Sequence, residues 1–129
     1  MVRTRILVAD DVDAYRDTLV AVLELEDDFD VVAELASGDR VVAEALALNP
    51  DVALLDIDMP GVDGLTAAAE LSERLPECRI LILTGLTGPD GLHRALAAGA
   101  SGFLVKDGTA DDVVDAVRRV ARGERVLPA

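Results

Sequence analysis

A chain of 129 residues, 51% of them apolar, has the size and composition of one domain with one core, which excludes a disordered chain. The formal net charge of −13 excludes a direct nucleic-acid surface, which needs clustered Lys and Arg to displace counterions. A single cysteine, Cys78, and a single histidine, His93, exclude an intrachain disulfide, a thiolate zinc cluster and a histidine-rich metal centre.

Only 2% of residues are aromatic, so the core is expected from Val, Leu, Ile and Ala. No apolar run reaches the length of a membrane span, and the opening MVRTRILVADD runs into two acids instead of a cleavable signal. The chain therefore reads as cytoplasmic, with no membrane partner.

The first apolar run, residues 5–9, ends in Asp10-Asp11 and leads into a helical pattern over 14–26, with Leu19, Val22, Leu23 and Glu26 near one side. The acids from Glu24 to Asp30 read as a solvated helix end. A second strand is expected over 30–35 and a second helix over 39–48, stopped by Asn49-Pro50. The third strand, 52–55, runs into Asp56, and Met59-Pro60-Gly61 and Asp63-Gly64 mark two turns before a helix over 65–75 that Pro76 ends. Cys78 precedes the fourth strand, 79–83, which ends at Thr84. The fourth helix has Pro89 in its first turn, carries His93 on its surface and ends at Gly99. The fifth strand, 102–105, ends at Lys106. Thr109 then caps the fifth helix, with Asp111 and Asp112 favouring its dipole.

Five strand–helix units of this kind predict an α/β fold, a five-stranded parallel sheet with five helices on both faces. Residues 1–122 form the domain, and 123–129 read as an exit segment, the start of a linker.

Ligands of such sheets bind beyond the carboxyl ends of the strands. There the sequence places Asp10, Asp11, Asp56, Thr84 and Lys106. Like charges roughly 5 Å apart repel by about 3 kcal/mol at an effective dielectric near 20. Three clustered carboxylates therefore call for a divalent cation or for retained protons. All-oxygen ligation suits Mg²⁺, with Mn²⁺ as the alternative, and Mg²⁺ borrows oxygens from phosphate. Lys106 can neutralise a phosphoryl group, the Thr84 hydroxyl can donate to it, and a carboxylate can be the nucleophile that receives it.

The ordered set of Asp10-Asp11, Asp56 with its Met-Pro-Gly-x-Asp-Gly tail, Thr84, and Phe103 three residues before Lys106 resembles the receiver domain of bacterial two-component response regulators, over essentially the whole chain. The resemblance implies a flavodoxin-like fold and a phosphoacceptor at Asp56, supplied by a sensor histidine kinase. It implies Mg²⁺ held by Asp11, Asp56 and the Asp58 backbone carbonyl, with Asp10 acting through water. Lys106 would pair with Asp56 and then with the phosphoryl group. Thr84 would bond that group, Phe103 would turn inward as an aromatic switch, and Gly85 would leave open space. Asp107 stands where many receivers have Pro; Gly-Phe-Leu-Val-Lys-Asp resembles the NarL/FixJ-type subfamily, whose members carry a helix-turn-helix after the receiver.

The same resemblance implies catalysis only of the chain's own phosphorylation and dephosphorylation, with transcription as the output. It also implies a dimer on activation through the first and fifth helices. On the fifth, Val113, Val117 and Val120 form a core stripe, and Val114 and Ala121 are expected to extend it towards solvent; Val20 widens the first helix in the same way.

Two rivals stand beside this. A haloacid-dehalogenase-like phosphatase would use Asp56-Ile57-Asp58, but Pro60, the early acid pair and the lack of a cap insertion weigh against it. A pseudo-receiver that only binds partners would have no use for the intact acid set.

Overall fold

The structure, a computed structural model, describes residues 2–85, 89–106 and 108–127. Five strands, β1 (Thr4–Ala9), β2 (Phe29–Leu35), β3 (Val52–Asp56), β4 (Arg79–Thr84) and β5 (Gly102–Val105), alternate with five helices, α1 (Asp13–Glu24), α2 (Val41–Leu48), α3 (Gly64–Arg74), α4 (Pro89–Ala97) and α5 (Ala110–Ala121). The strands form one parallel sheet in the order β2-β1-β3-β4-β5.

Strict alternation of side chains splits the continuous apolar strands between two cores. Leu7, Ala9, Ala53, Leu55, Ile80 and Ile82 pack under α2, α3 and α4. Ile6, Val8, Val52, Leu54, Leu81 and Leu83 pack under α1 and α5. Both faces are covered, which fits the near-continuous apolar stretches within β1, β3, β4 and β5.

Helix boundaries follow local chemistry. Asp39 does not open α2: its carboxylate accepts the Val62 N–H at 3.0 Å, tying the loop after β2 to the loop after β3. Asp63 caps α3 by accepting from Thr66 N at 2.8 Å, so Asp63-Gly64 is a helix start and not a separate turn. A Cβ built on Gly64 would overlap the Asp56 carbonyl oxygen, so this glycine lets α3 press against the backbone of the site. Thr109 and Asp112 form the capping box of α5, as the sequence predicts.

Three expectations change. Helix α1 ends at Glu24, and the acids beyond it are not simply solvated: Arg118 of α5 donates to Glu26 Oε1 at 2.6 Å and to Asp28 Oδ1 at 2.7 Å, clamping α5 to the turn before β2. Val114 does not extend an apolar surface towards solvent. It is only 7% exposed, and Val113, Ala116, Val117 and Val120 are buried with it. Helix α5 sits in a groove between α1 and the sheet, so the covered stripe is wider than one ridge; Val20 is buried for the same reason.

Finally, the segment after α5 returns to the sheet at Val126. Val126 is buried, pairs with Gly102 at the edge of β5, and its carbonyl accepts the Phe103 N–H at 2.8 Å. Among the described residues, no helix is long and apolar enough to cross a membrane.

Candidate functional site

Strand order reverses between β1 and β3, which opens a crevice at their carboxyl ends. Ala9 is in register with Leu55, so the residues that follow, Asp10 and Asp56, emerge side by side. Thr84 ends β4 in register with Val105, and Lys106 follows with its backbone N–H donating to the Thr84 carbonyl at 2.8 Å. The fold thus brings Asp10, Asp11, Asp56, Thr84 and Lys106 to one place.

One oxygen each of Asp10, Asp11 and Asp56 lies within 4.8 Å of the others. Asp10 is 2% exposed and both of its carboxylate oxygens accept a hydrogen bond: Oδ1 from the Val12 N–H at 2.9 Å and Oδ2 from Lys106 Nζ at 2.7 Å. Lys106 reaches Asp56 Oδ2 only at 3.3 Å, so its closer partner is Asp10 and not Asp56. Arg16 fixes the loop between β1 and α1 by donating to the Asp10 carbonyl at 2.7 Å. Asp11 and Asp58 are exposed at the rim.

The electrostatics follow from burial. Asp56 is 5% exposed, and loss of water pushes its carboxyl up to about 6. Lys106 opposes that rise, and the neighbouring charges of Asp10 and Asp11 add to it. Burial alone would lower Lys106, but its hydrogen bond to Asp10 and the two nearby carboxylates hold it above its ordinary value.

Thr84 is fully buried. A Cβ on Gly85 would meet nothing within 4 Å, which leaves the space expected there. Phe103 is already turned inward, 2% exposed, with a Cβ on Gly91 falling 3.5 Å from its ring. Asp107, where the sequence departs from the Lys-Pro pattern, lies outside the described residues. His93 is exposed; Cys78 is buried, and burial pushes its thiol up to about 12, which leaves it inert.

The sequence reading missed Tyr15, whose ring centroid lies 4.5 Å from Lys106 Nζ. Its one available signal is that it is the chain's single tyrosine, one turn after the acid pair.

The sequence profile described as response regulator receiver domain matches residues 6–118. An uncharacterised transcriptional regulatory protein of Bacillus subtilis, YvfU, is 38% identical over 123 residues, covering 95% of this chain and 62% of that protein. The response regulator VraR of Staphylococcus aureus is 36% identical over 95% of this chain and 59% of its own length. The chain spans about three-fifths of these curated relatives. Among solved structures, the signal receiver domain of the response regulator NarL from Mycobacterium tuberculosis superposes with a TM-score of 0.92 at 36% identity, covering 96% of this chain and all of that one. A LuxR-family two-component response regulator from Aurantimonas gives 0.91 at 28% identity, covering 96% and 89%.

Proposed function

Because the chain belongs to the response regulator receiver domain family, we propose that Asp56 accepts a phosphoryl group from a sensor histidine kinase in the cytoplasm, and that the modified domain switches an output, transcription. One juxtaposition carries this function: a buried carboxylate, Asp56, shares Lys106 with Asp10 and lies within 4.8 Å of Asp11. The family match leaves nothing in favour of the phosphatase reading, and the complete acid set argues against a pseudo-receiver.

The all-oxygen, triply acidic donor set fits Mg²⁺, with Mn²⁺ as the alternative. Asp11, Asp56 and the Asp58 carbonyl would hold it, with Asp10, whose oxygens also accept from Val12 and Lys106, acting largely through water. When bound, the cation neutralises charge on the transferring group. An Asp56 oxygen attacks phosphorus, a new O–P bond forms, and the bond to the donor's leaving group breaks. Lys106 passes from the carboxylates to a phosphoryl oxygen, and the Thr84 hydroxyl donates to another. Phe103, proposed as the aromatic switch, is inward in this structure, and its inward position would be secured once Thr84 moves to bond the phosphoryl group. Dephosphorylation by water at the same site resets the domain.

Acetyl phosphate or phosphoramidate with Mg²⁺ tests the function. Intact-mass spectrometry is expected to show a single acid-labile phosphoryl adduct, placed on Asp56 by peptide mapping. A wild-type chain that stays unlabelled at saturating Mg²⁺ overturns it.

Weak, roughly millimolar Mg²⁺ affinity is expected, because few protein ligands displace water. Asp11→Ala should reduce affinity about tenfold or more, and Asp10→Ala less. Titration of both variants checks the order; unchanged binding in Asp11→Ala removes it as a ligand.

Activation is also proposed to favour a dimer through α1 and α5, in a full-length protein joined to a helix-turn-helix domain. With Val114 buried, the faces left exposed are small and charged: Ala14, Thr18 and Ala21 on α1, with Asp111 and Asp115 on α5 and Arg122 at its C-cap. Sedimentation with and without beryllofluoride should show the change, and Ala21→Arg should weaken it without affecting labelling. An activated chain that stays monomeric at high concentration excludes this surface.

A further inference from the structure

Lysine has a long flexible stem, and its ammonium must be held at one place for charge to be neutralised at the moment of transfer. In this site two sides of Lys106 Nζ are taken by carboxylates, Asp10 at 2.7 Å and Asp56 at 3.3 Å. A third side is taken by the ring of Tyr15, at 4.5 Å. An aromatic face attracts an ammonium and excludes water from it. Only 16% of the Lys106 side chain is exposed.

Both partners of this contact are anchored from outside it. Arg16, the next residue of α1, grips the Asp10 carbonyl, so the first turn of the helix is referenced to the acid pair. The Lys106 backbone is bonded to Thr84. Tyr15 also forms a wall of two grooves, one of about 510 Å³ that Lys106, Phe103 and Arg119 line, and one of about 140 Å³ between α1 and α5.

We propose that Tyr15 is a positioning residue of the phosphoryl-transfer site: its ring is the platform that keeps Lys106 aimed at Asp10 and Asp56 and supports it as it passes to the phosphoryl group. This rests on Asp56 being the phosphoacceptor. When Lys106 leaves Asp10 and Asp56 for a phosphoryl oxygen, the ring is the neighbour that need not change. The contact the structure gives to Lys106 is with the Tyr15 ring, so the proposal assigns the positioning to the ring.

The test compares initial labelling rates by acetyl phosphate at saturating Mg²⁺ in wild type, Tyr15→Phe, Tyr15→Leu and Tyr15→Met, with thermal melts to confirm folding. Phe should stay within about twofold of wild type, whereas Leu and Met should be slower by about fivefold or more. A residue that only packs would slow none of the folded variants. A second readout needs no substitution at Tyr15. The chain has one tyrosine and no tryptophan, so its tyrosine emission reports this ring alone. That emission should change on labelling the wild type, and should differ between wild type and Lys106→Met.

Equal labelling rates in folded Leu and Met variants overturn the role, as does a Phe variant as slow as Leu. Emission indifferent to Lys106→Met overturns it too, even if Leu and Met fail to fold. A wild type that takes no label overturns the phosphoacceptor function itself, and is distinguished from equal rates among labelled variants.

Discussion

Asp56→Asn will abolish phosphoryl labelling and, in chelator at about pH 8, will make the chain more stable than wild type by about 1–2 kcal/mol, a rise of roughly 5 °C in Tm. The nucleophile is lost because an amide cannot form the acyl phosphate. The gain in stability has a separate cause. Burial and the charges of Asp10 and Asp11 raise the Asp56 carboxyl to about 6 in the folded chain, above the value of about 4 it has when unfolded. Its ionisation therefore opposes folding. The penalty is absent below the unfolded value, grows as pH rises between the two values, and is complete above about 6. A shift of that size corresponds to at most about 3 kcal/mol, and the Asn variant gives back part of this by losing its charged contact with Lys106. The advantage of Asn should thus shrink as pH falls from about 7 to about 4. Mg²⁺ should stabilise wild type more than Asp56→Asn, since a ligand stabilises the state that binds it in proportion to its affinity. Melts of both proteins across pH, with and without Mg²⁺, decide it. A variant less stable than wild type at about pH 8 in chelator would mean that Asp56 ionisation does not strain the fold.

Removing Lys106 should do the opposite. Lys106→Ala leaves Asp10 and Asp56, both nearly inaccessible, facing each other without their shared cation. Breaking a buried pair by deleting one partner is costly, and a loss of about 2–4 kcal/mol is expected at about pH 8 without metal. The loss should shrink at about pH 5, because without the lysine the Asp56 carboxyl rises further and takes up a proton instead of carrying its charge. Mg²⁺ should restore part of the stability in the same way. Combining the change with Asp56→Asn should cost less than Lys106→Ala alone does, since the removed charge no longer needs a partner. Denaturant titrations of the three variants check this. A loss independent of pH and of the Asp56 substitution would assign Lys106 to packing of its stem. Labelling of Lys106→Ala should also be strongly slowed, because the ammonium is the one fixed cation among the described residues at the carboxylates.

Much of the molecule is legible in its sequence. A parallel sheet covered on both faces needs near-continuous apolar strands, and five apolar-rich runs, three of them nearly continuous, separated by helical patterns leave few other architectures. The site is equally legible, because the ends of those strands must meet at one edge. Asp10, Asp11, Asp56, Thr84 and Lys106 are the polar residues at those ends, and the mutual approach of the three carboxylates follows from the register of β1 with β3. The cap at Thr109 and the stop at Asn49-Pro50 are local and depend on nothing distant.

Tertiary structure decided whatever depends on which surfaces meet. Helical periodicity locates the centre of a buried stripe but not its width. Periodicity alone therefore misplaces Val114, because α5 lies in a groove where α1 and the sheet cover two ridges instead of one. The partner of Lys106 that counts most, Asp10, is 96 residues away and was chosen by side-chain reach across the crevice. Tyr15 over Lys106, Arg118 on Glu26 and Asp28, and Gly64 against the Asp56 backbone arise the same way. Sequence alone determined the order of elements and the chemistry at the strand ends, since those depend on local propensity and on a period of two or 3.6. Only the folded structure set the pairings and the depth of burial, because both depend on distances between residues that the chain itself keeps far apart.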